Sequence, residues 1–229
     1  TAVGLYRLFL NGVELNKSLF APTLSNPDQV VFADNYDLSG KLNKTNNVLC
    51  VLLGNGFANC SDYDIWGNDT ASYRAAPKFA LTLQADGKTV VETDEKFVVA
   101  DSAITFDDFR CGERYDARLE IADVLTSATT DGFEPVIVVQ PPKGKVVPNN
   151  TQPIVAGKPK KAINIFKTKT GYLYDFGIND MGVCKLSLLT AESGQQIDIY
   201  FGEVLDGDNC IDYRNISFAQ TNLEYNQHD

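Results

Sequence analysis

Outside residues 121–127, which predict one or two helical turns, no stretch of twelve or more residues keeps the 3.6-residue apolar period of an amphipathic helix. Short alternating runs take its place. Leu5–Leu10 leads into Asn11-Gly12, the strongest two-residue hairpin signal, and residues 13–15 lead away from it. Asp86-Gly87 separates residues 78–84 from 88–93 in the same way. Residues 30–38, 97–100 and 135–139 predict further strands, and the continuously apolar run 47–54 predicts a strand buried on both faces. Many short strands punctuated by turn chemistry mean an all-β chain. The expected architecture is a jelly-roll-like β-sandwich over residues 1–145, followed by a second, incomplete β-sandwich domain over 146–229.

The division rests on residues 141–159, PPKGKVVPNNTQPIVAGKP. Proline fixes φ and removes a backbone donor, so this segment is expected to be extended and poor in ladder hydrogen bonds. A structureless loop beyond about 12–15 residues is uncommon inside a compact domain, which favours a domain boundary. Strand patterns then resume at residues 163–166, 172–176, 183–189 and 196–201. They are too few to close a sandwich, so its completion is expected from residues outside this sequence.

Composition narrows the function classes. The formal charge of −10 is spread along all 229 residues, and no basic stripe of the kind that binds phosphates precedes or interrupts it, so nucleic acid is not an expected partner. No apolar run approaches the roughly 20 residues that span a bilayer, and the first residues lack the charged and apolar regions of a signal peptide. The five cysteines, Cys50, Cys60, Cys111, Cys184 and Cys210, are odd in number and lack metal-type spacing. They read as free thiols in a reducing compartment, which makes a cytoplasmic location the expectation. With His228 as the only histidine, a Ser-His-Asp triad has almost nothing to work with.

Polar chemistry gathers in residues 106–120, FDDFRCGERYDARLE. Carboxylates and guanidinium groups make charge-assisted hydrogen bonds to neighbouring hydroxyls, and an aromatic face covers the apolar side of a sugar ring. Asp107, Asp108, Glu113 and Tyr115 are therefore candidate carbohydrate contacts, the first two because they precede the turn at Gly112, near a loop rim. For Asp116 and Arg118 a structural ion pair along one strand is the preferred role, with Arg118 the residue that matters to stability and Asp107 the one that does not. Residues 55–73 form a second polar stretch holding the single tryptophan, Trp66, either a sugar platform or a partly buried core residue. Its oxygen-rich side chains raise the question of calcium, but the spacing matches no EF-hand loop and Asp/Asn-rich loops are more often turns. No cofactor is expected. Asp175-Phe176-Gly177 spells a kinase triplet without any accompanying kinase motif, and Asp206-Gly207-Asp208-Asn209 reads as a turn.

Five ordered motifs carry a family resemblance: GLYRLFLNG, NNVLCVLLGNGF, FDDFRCGERYDARLE, YLYDFGINDMGVCKLSL and FGEVLDGDN. In this order they resemble the N-terminal part of bacterial α-L-rhamnosidases, glycoside hydrolases that release terminal rhamnose. Cys111, Asp180, Val183 and Gly202 depart from the family pattern, which touches ligand contacts rather than fold. The resemblance implies that the catalytic carboxylates lie on a later (α/α)6 helical barrel. Inversion there needs an acid and a base about 6.5–9.5 Å apart. The chain itself is then expected to be non-catalytic, with two roles open: recognition of rhamnose-containing carbohydrate, or a structural scaffold bracing the catalytic barrel.

Overall fold

The computed structural model describes residues 1–60, 67–109, 111–192 and 194–212, together with the backbone of Asn226–His228. It forms two compact units, Thr1–Val155 and Ala156–Asp229. The described residues are all-β apart from three short 3-10 turns, Gly56–Asn59, Asn68–Thr70 and Ala117–Leu119.

The first unit contains β1 (Ala2–Val3), β2 (Leu5–Leu10), β3 (Val13–Glu14), β4 (Val30–Ala33), β5 (Leu49–Gly54), β6 (Lys78–Phe79), β7 (Thr82–Ala85), β8 (Lys88–Glu92), β9 (Val98–Val99), β10 (Ile104–Asp108), β11 (Gly112–Tyr115), β12 (Glu134–Pro135) and β13 (Lys145–Pro148). Both predicted hairpins form. Asn11 and Gly12 turn β2 into β3 with φ of 51° and 82°, and Asp86 and Gly87 turn β7 into β8 with φ of 49° and 73°. These left-handed pairs supply the twist that a two-residue hairpin needs. Strand β2 alternates as a half-buried strand should: Tyr6, Leu8 and Leu10 are buried, and Arg7 faces out to Glu14. Tyr6 and Leu8 join Ala2 and Ala21 in the core, against Leu15, Tyr36, Leu49, Val51, Leu53, Phe79 and Leu81.

Several local expectations are corrected. Strand β5 is half-buried along its whole length rather than buried on both faces, because it lies at the edge of the β3-β2-β5 sheet. Residues 121–127 make successive turns, not a helix: Asp123 sits at φ 55°, and its carbonyl accepts from both Thr126 and Ser127. The run 78–84 breaks between β6 and β7, where Ala80 N–H turns aside to the Thr1 carbonyl.

The proline-rich segment differs most from expectation. Strand β13 pairs in parallel with β4, Lys145 opposite Val30 through Pro148 opposite Ala33. Extended backbone is what a parallel ladder needs, and Pro148 takes the strand's last position, beyond which Asn149 N–H bonds to the Ala33 carbonyl. Gly144 makes the approach feasible. A Cβ there would lie 2.5 Å from the Pro27 carbonyl oxygen and 2.7 Å from Val30 N, both backbone atoms. Gly144→Ala is therefore expected to cost about 1–2 kcal/mol by forcing β13 off β4, read as a lower urea midpoint.

The second unit holds β14 (Asn164–Lys167), β15 (Tyr172–Asp175), β16 (Asp198–Tyr200) and β17 (Asn226–His228). Strands β14 and β15 form an antiparallel hairpin, and β16 pairs antiparallel with β17. Asp175 ends β15 by accepting the Gly177 N–H at 2.7 Å, so the Asp-Phe-Gly triplet is a turn. The Asp206 carboxylate likewise accepts from Asp208 N and Cys210 N. Residues 183–189, read as a strand, have no ladder among the described residues, and Leu189 is fully exposed at 100%.

Candidate functional site

The hairpin β10–β11 carries most of the predicted site residues. Asp107 lies opposite Glu113, Asp108 opposite Gly112 and Phe106 opposite Arg114. Cross-strand partners share a face. Asp107 and Glu113 thus stand side by side, and the Arg114 guanidinium lies 5.5 Å over the Phe106 ring.

Asp107 is turned inward, onto the end of β5. Its Oδ2 accepts the Asn55 backbone N–H at 2.6 Å, and Asn55 Nδ2 donates at 2.8 Å to both Asp107 Oδ1 and the Asp107 carbonyl. Asn55 Oδ1 accepts in turn from Asn59, in the 3-10 turn Gly56–Asn59. Burial pushes the Asp107 carboxyl above its ordinary range and the neighbouring Asp108 adds to this, while the bonds from Asn55 pull it back. Asp108 is buried, and its Oδ1 accepts the Cys111 N–H at 2.8 Å, closing the hairpin turn. Asp107 and Asp108, two of the three carboxylates read as ligand contacts, therefore hold the chain to itself. Tyr115 donates its hydroxyl to Glu120, which raises the phenol to about 12.

The Asp116–Arg118 ion pair forms, but at the surface and not along a strand. Asp116 caps the 3-10 turn Ala117–Leu119, accepting Arg118 N–H at 3.1 Å and the guanidinium at 2.8 and 2.5 Å. The Arg118 side chain is 70% exposed. A pair two residues apart in water is expected to add little to folding, and the inward bonds of Asp107 make that residue the one expected to matter more. Arg118→Ala is expected to leave the urea midpoint unchanged at pH 7. The guanidinium holds Asp116 down at about 2, so whatever the pair contributes is present above the unfolded carboxyl range and fades as pH falls towards 2.

Trp66, with Asp62, Tyr63 and Asp64, lies outside the described residues. The flanks of that loop are held by Ala75 N–H to the Ala58 carbonyl, Tyr73 hydroxyl to Asn68, and Arg74 to the Asp69 carbonyl. Among the described residues no three His, Cys, Asp or Glu side chains converge as a metal site would require. Nor is any described helix long and apolar enough to cross a membrane. None of the five cysteines is in a disulfide, and burial raises the Cys50 thiol.

Sequence reasoning missed an aromatic cluster. Phe109, at the hairpin turn, packs against Phe57 with centroids 4.0 Å apart and edge-on to Phe20 at 6.4 Å. Phe20 and Phe57 line a recess of about 70 Å³ with Leu5, Pro22, Leu24 and Tyr73. Ligand pockets start at about 300 Å³, so the recess suits one side chain rather than a sugar. Nothing in the spacing of three phenylalanines this far apart in sequence signals that they meet.

Comparison with known proteins follows the same outline. The α-L-rhamnosidase N-terminal domain profile matches residues 1–158, and the bacterial α-L-rhamnosidase concanavalin-like domain profile matches 166–227. An α-L-rhamnosidase of Formosa agariphila is 30% identical over 215 residues, 89% of this chain and 22% of that protein. One of Streptomyces avermitilis is 25% identical over 234 residues, again 22% of its length. The solved α-L-rhamnosidase of Dictyoglumus thermophilum superposes with a TM-score of 0.84 at 27% identity, covering 99% of this chain and 25% of that one. The Streptomyces avermitilis α-L-rhamnosidase complexed with L-rhamnose shares the fold at a TM-score of 0.83 and 23% identity. The chain thus spans 22–25% of the length of these relatives. Two consecutive profile matches on two all-β units establish the relationship, and the chain belongs to the α-L-rhamnosidase N-terminal domain family.

Proposed function

We propose that the chain forms the non-catalytic β-units at the amino-terminal side of an α-L-rhamnosidase, with hydrolysis carried out by a helical barrel outside these residues. The observation that carries this reading is the match to 22–25% of each relative's length. The internal engagement of Asp107 and Asp108 supports it: a catalytic acid and base need carboxylates turned towards substrate, and these face their own backbone.

Within that assignment, the geometry favours a bracing role for the first unit. Asp107, Asp108 and Tyr115 would have to release Asn55, Cys111 and Glu120 before contacting a sugar at residues 106–120. Phe20 and Phe109, each 41% exposed beside Leu19 and Leu24, instead offer apolar surface for the rest of the enzyme to pack on. Rhamnose-containing carbohydrate is the substrate class of the complete enzyme. Assay of the purified chain with a chromogenic α-L-rhamnoside is expected to show no turnover above the uncatalysed rate. Turnover by residues 1–229 alone would overturn the assignment.

A further inference from the structure

The chain holds two Asn-Gly pairs, Asn11-Gly12 and Asn55-Gly56. This dipeptide is the one most prone to lose its side-chain amide, because glycine has no side chain to crowd the attack of its own nitrogen on the asparagine Cγ. In the second pair neither residue can be exchanged freely. Gly56 sits at φ 52°, and a Cβ there would lie 2.9 Å from Leu5 Cγ and 3.2 Å from Leu5 N. Asn55 is needed as both donor and acceptor. Its Nδ2 donates at 2.8 Å to the carbonyl and the Oδ1 of Asp107, and its Oδ1 accepts from Asn59 Nδ2 at 2.7 Å. The fold therefore requires a reactive pair at the point where the end of β5 meets the hairpin β10–β11.

The same bonds hold the reaction off. Ring closure brings Asn55 Cγ against Gly56 N, so the carboxamide must first let go of Asp107 and Asn59, and Gly56 itself is buried. Asn11-Gly12 has lighter cover. Asn11 Nδ2 donates to Asn47 Oδ1 at 3.0 Å and its Oδ1 accepts the Val48 N–H at 2.8 Å, but Gly12 is exposed in a hairpin turn. We propose that Asn55-Gly56 is a latent deamidation site locked by Asp107, and that its conversion unfastens β5 from β10–β11. Gly56 N gives up its proton and bonds to Asn55 Cγ, Nδ2 leaves as ammonia, and water opens the resulting succinimide to aspartate or isoaspartate. The product has lost the Nδ2 donor and sets a new carboxylate against Asp107, which already has Asp108 beside it and Glu113 opposite. Like charges at hydrogen-bond distance repel, so the end of β5 is pushed off the hairpin. The lock cannot re-form without the amide that left, and the change runs one way. This chemistry is the chain's own and does not depend on the rhamnosidase reading.

Peptide mapping of the 229-residue chain by mass spectrometry, after incubation in mildly alkaline buffer, follows both sites at once, with the chain in urea as the unprotected reference. Asn55 is expected to deamidate about tenfold more slowly in the folded chain than in urea, because the site must open locally before it reacts. Asp107→Ala is expected to remove most of that protection at Asn55 and to leave the rate at Asn11 unchanged. Equal rates at Asn55 in parent and variant, or in the folded and urea-treated chain, would overturn the proposal. If Asp107→Ala opens the whole unit, seen as Asn11 accelerating in step, Asp107→Asn decides. That variant keeps the shape but offers one acceptor oxygen where Asn55 uses two, so faster loss at Asn55 alone supports the lock and an unchanged rate overturns it. Asn55→Asp, the product made genetically, is expected to lower the urea midpoint of the chain. An unchanged midpoint would overturn the release of β5 from the hairpin.

Discussion

Tyr6→Phe is expected to lower stability by about 1.5–3 kcal/mol, although it removes a single oxygen atom. Tyr6 is 7% exposed on β2, in the middle of the core cluster. Its hydroxyl donates to Asp34 Oδ2 at 2.6 Å and lies 2.7 Å from the Tyr36 hydroxyl. Asp34 holds its other oxygen for Asn149 Nδ2 at 2.7 Å, and Asn149 bonds onward to Thr23 and Thr151. One network therefore ties β2, the chain after β4 and the residues that follow β13. Phenylalanine would fill the same space but leave a part-buried carboxylate with one donor fewer, and bonds to charged groups are the costly ones to lose. Urea unfolding of Tyr6→Phe, Asp34→Ala and the double variant would measure the coupling. A double variant no worse than Asp34→Ala alone is the expected pattern, because the bond that Tyr6→Phe removes is already lost with the Asp34 carboxylate. Strict additivity would show that the network does not act as a unit.

The same network explains why strand β13 is hard to read from the composition of residues 141–159. Prolines predict extended backbone correctly, but whether extended backbone becomes a linker or a strand depends on a partner elsewhere in the chain. Here that partner is β4, and the requirement was carried by Gly144 and Asn149, two residues that look like ordinary loop chemistry. Hairpins were legible because Asn-Gly and Asp-Gly encode their own geometry. The site was less so. The turn at Gly112 is readable from sequence, yet it says nothing about Asn55, whose backbone and side chain claim the Asp107 carboxylate from 52 positions away. Asp116 and Arg118 showed the converse: a local pair is easy to see in sequence, and its closeness in sequence is what makes it weak.

Asp107→Ala is expected to cost about 2–3 kcal/mol at neutral pH, close to the effect of Tyr6→Phe and far above that of Arg118→Ala. The substitution strips the Asn55 N–H of its acceptor and removes a bond to Asn55 Nδ2, releasing the end of β5 from the hairpin β10–β11. Asp107→Asn keeps one acceptor oxygen and should cost less. The pH dependence separates the two contributions. Because burial raises the folded carboxyl above its unfolded value of about 3.9, the native state binds more protons between the two values. This residue's contribution to stability is then largest below the unfolded value, declines as pH rises through the window up to the raised folded value, and is constant above it. Asp107→Asn cannot titrate, so its cost relative to the parent should be greatest in acid and shrink as pH rises through that window. Urea midpoints of parent and variant from about pH 3 to about pH 7 would show it. A cost that instead grows with pH would mean that the carboxylate is better solvated in the folded chain than in the unfolded one, and Asp107 would return to being a residue presented to ligand.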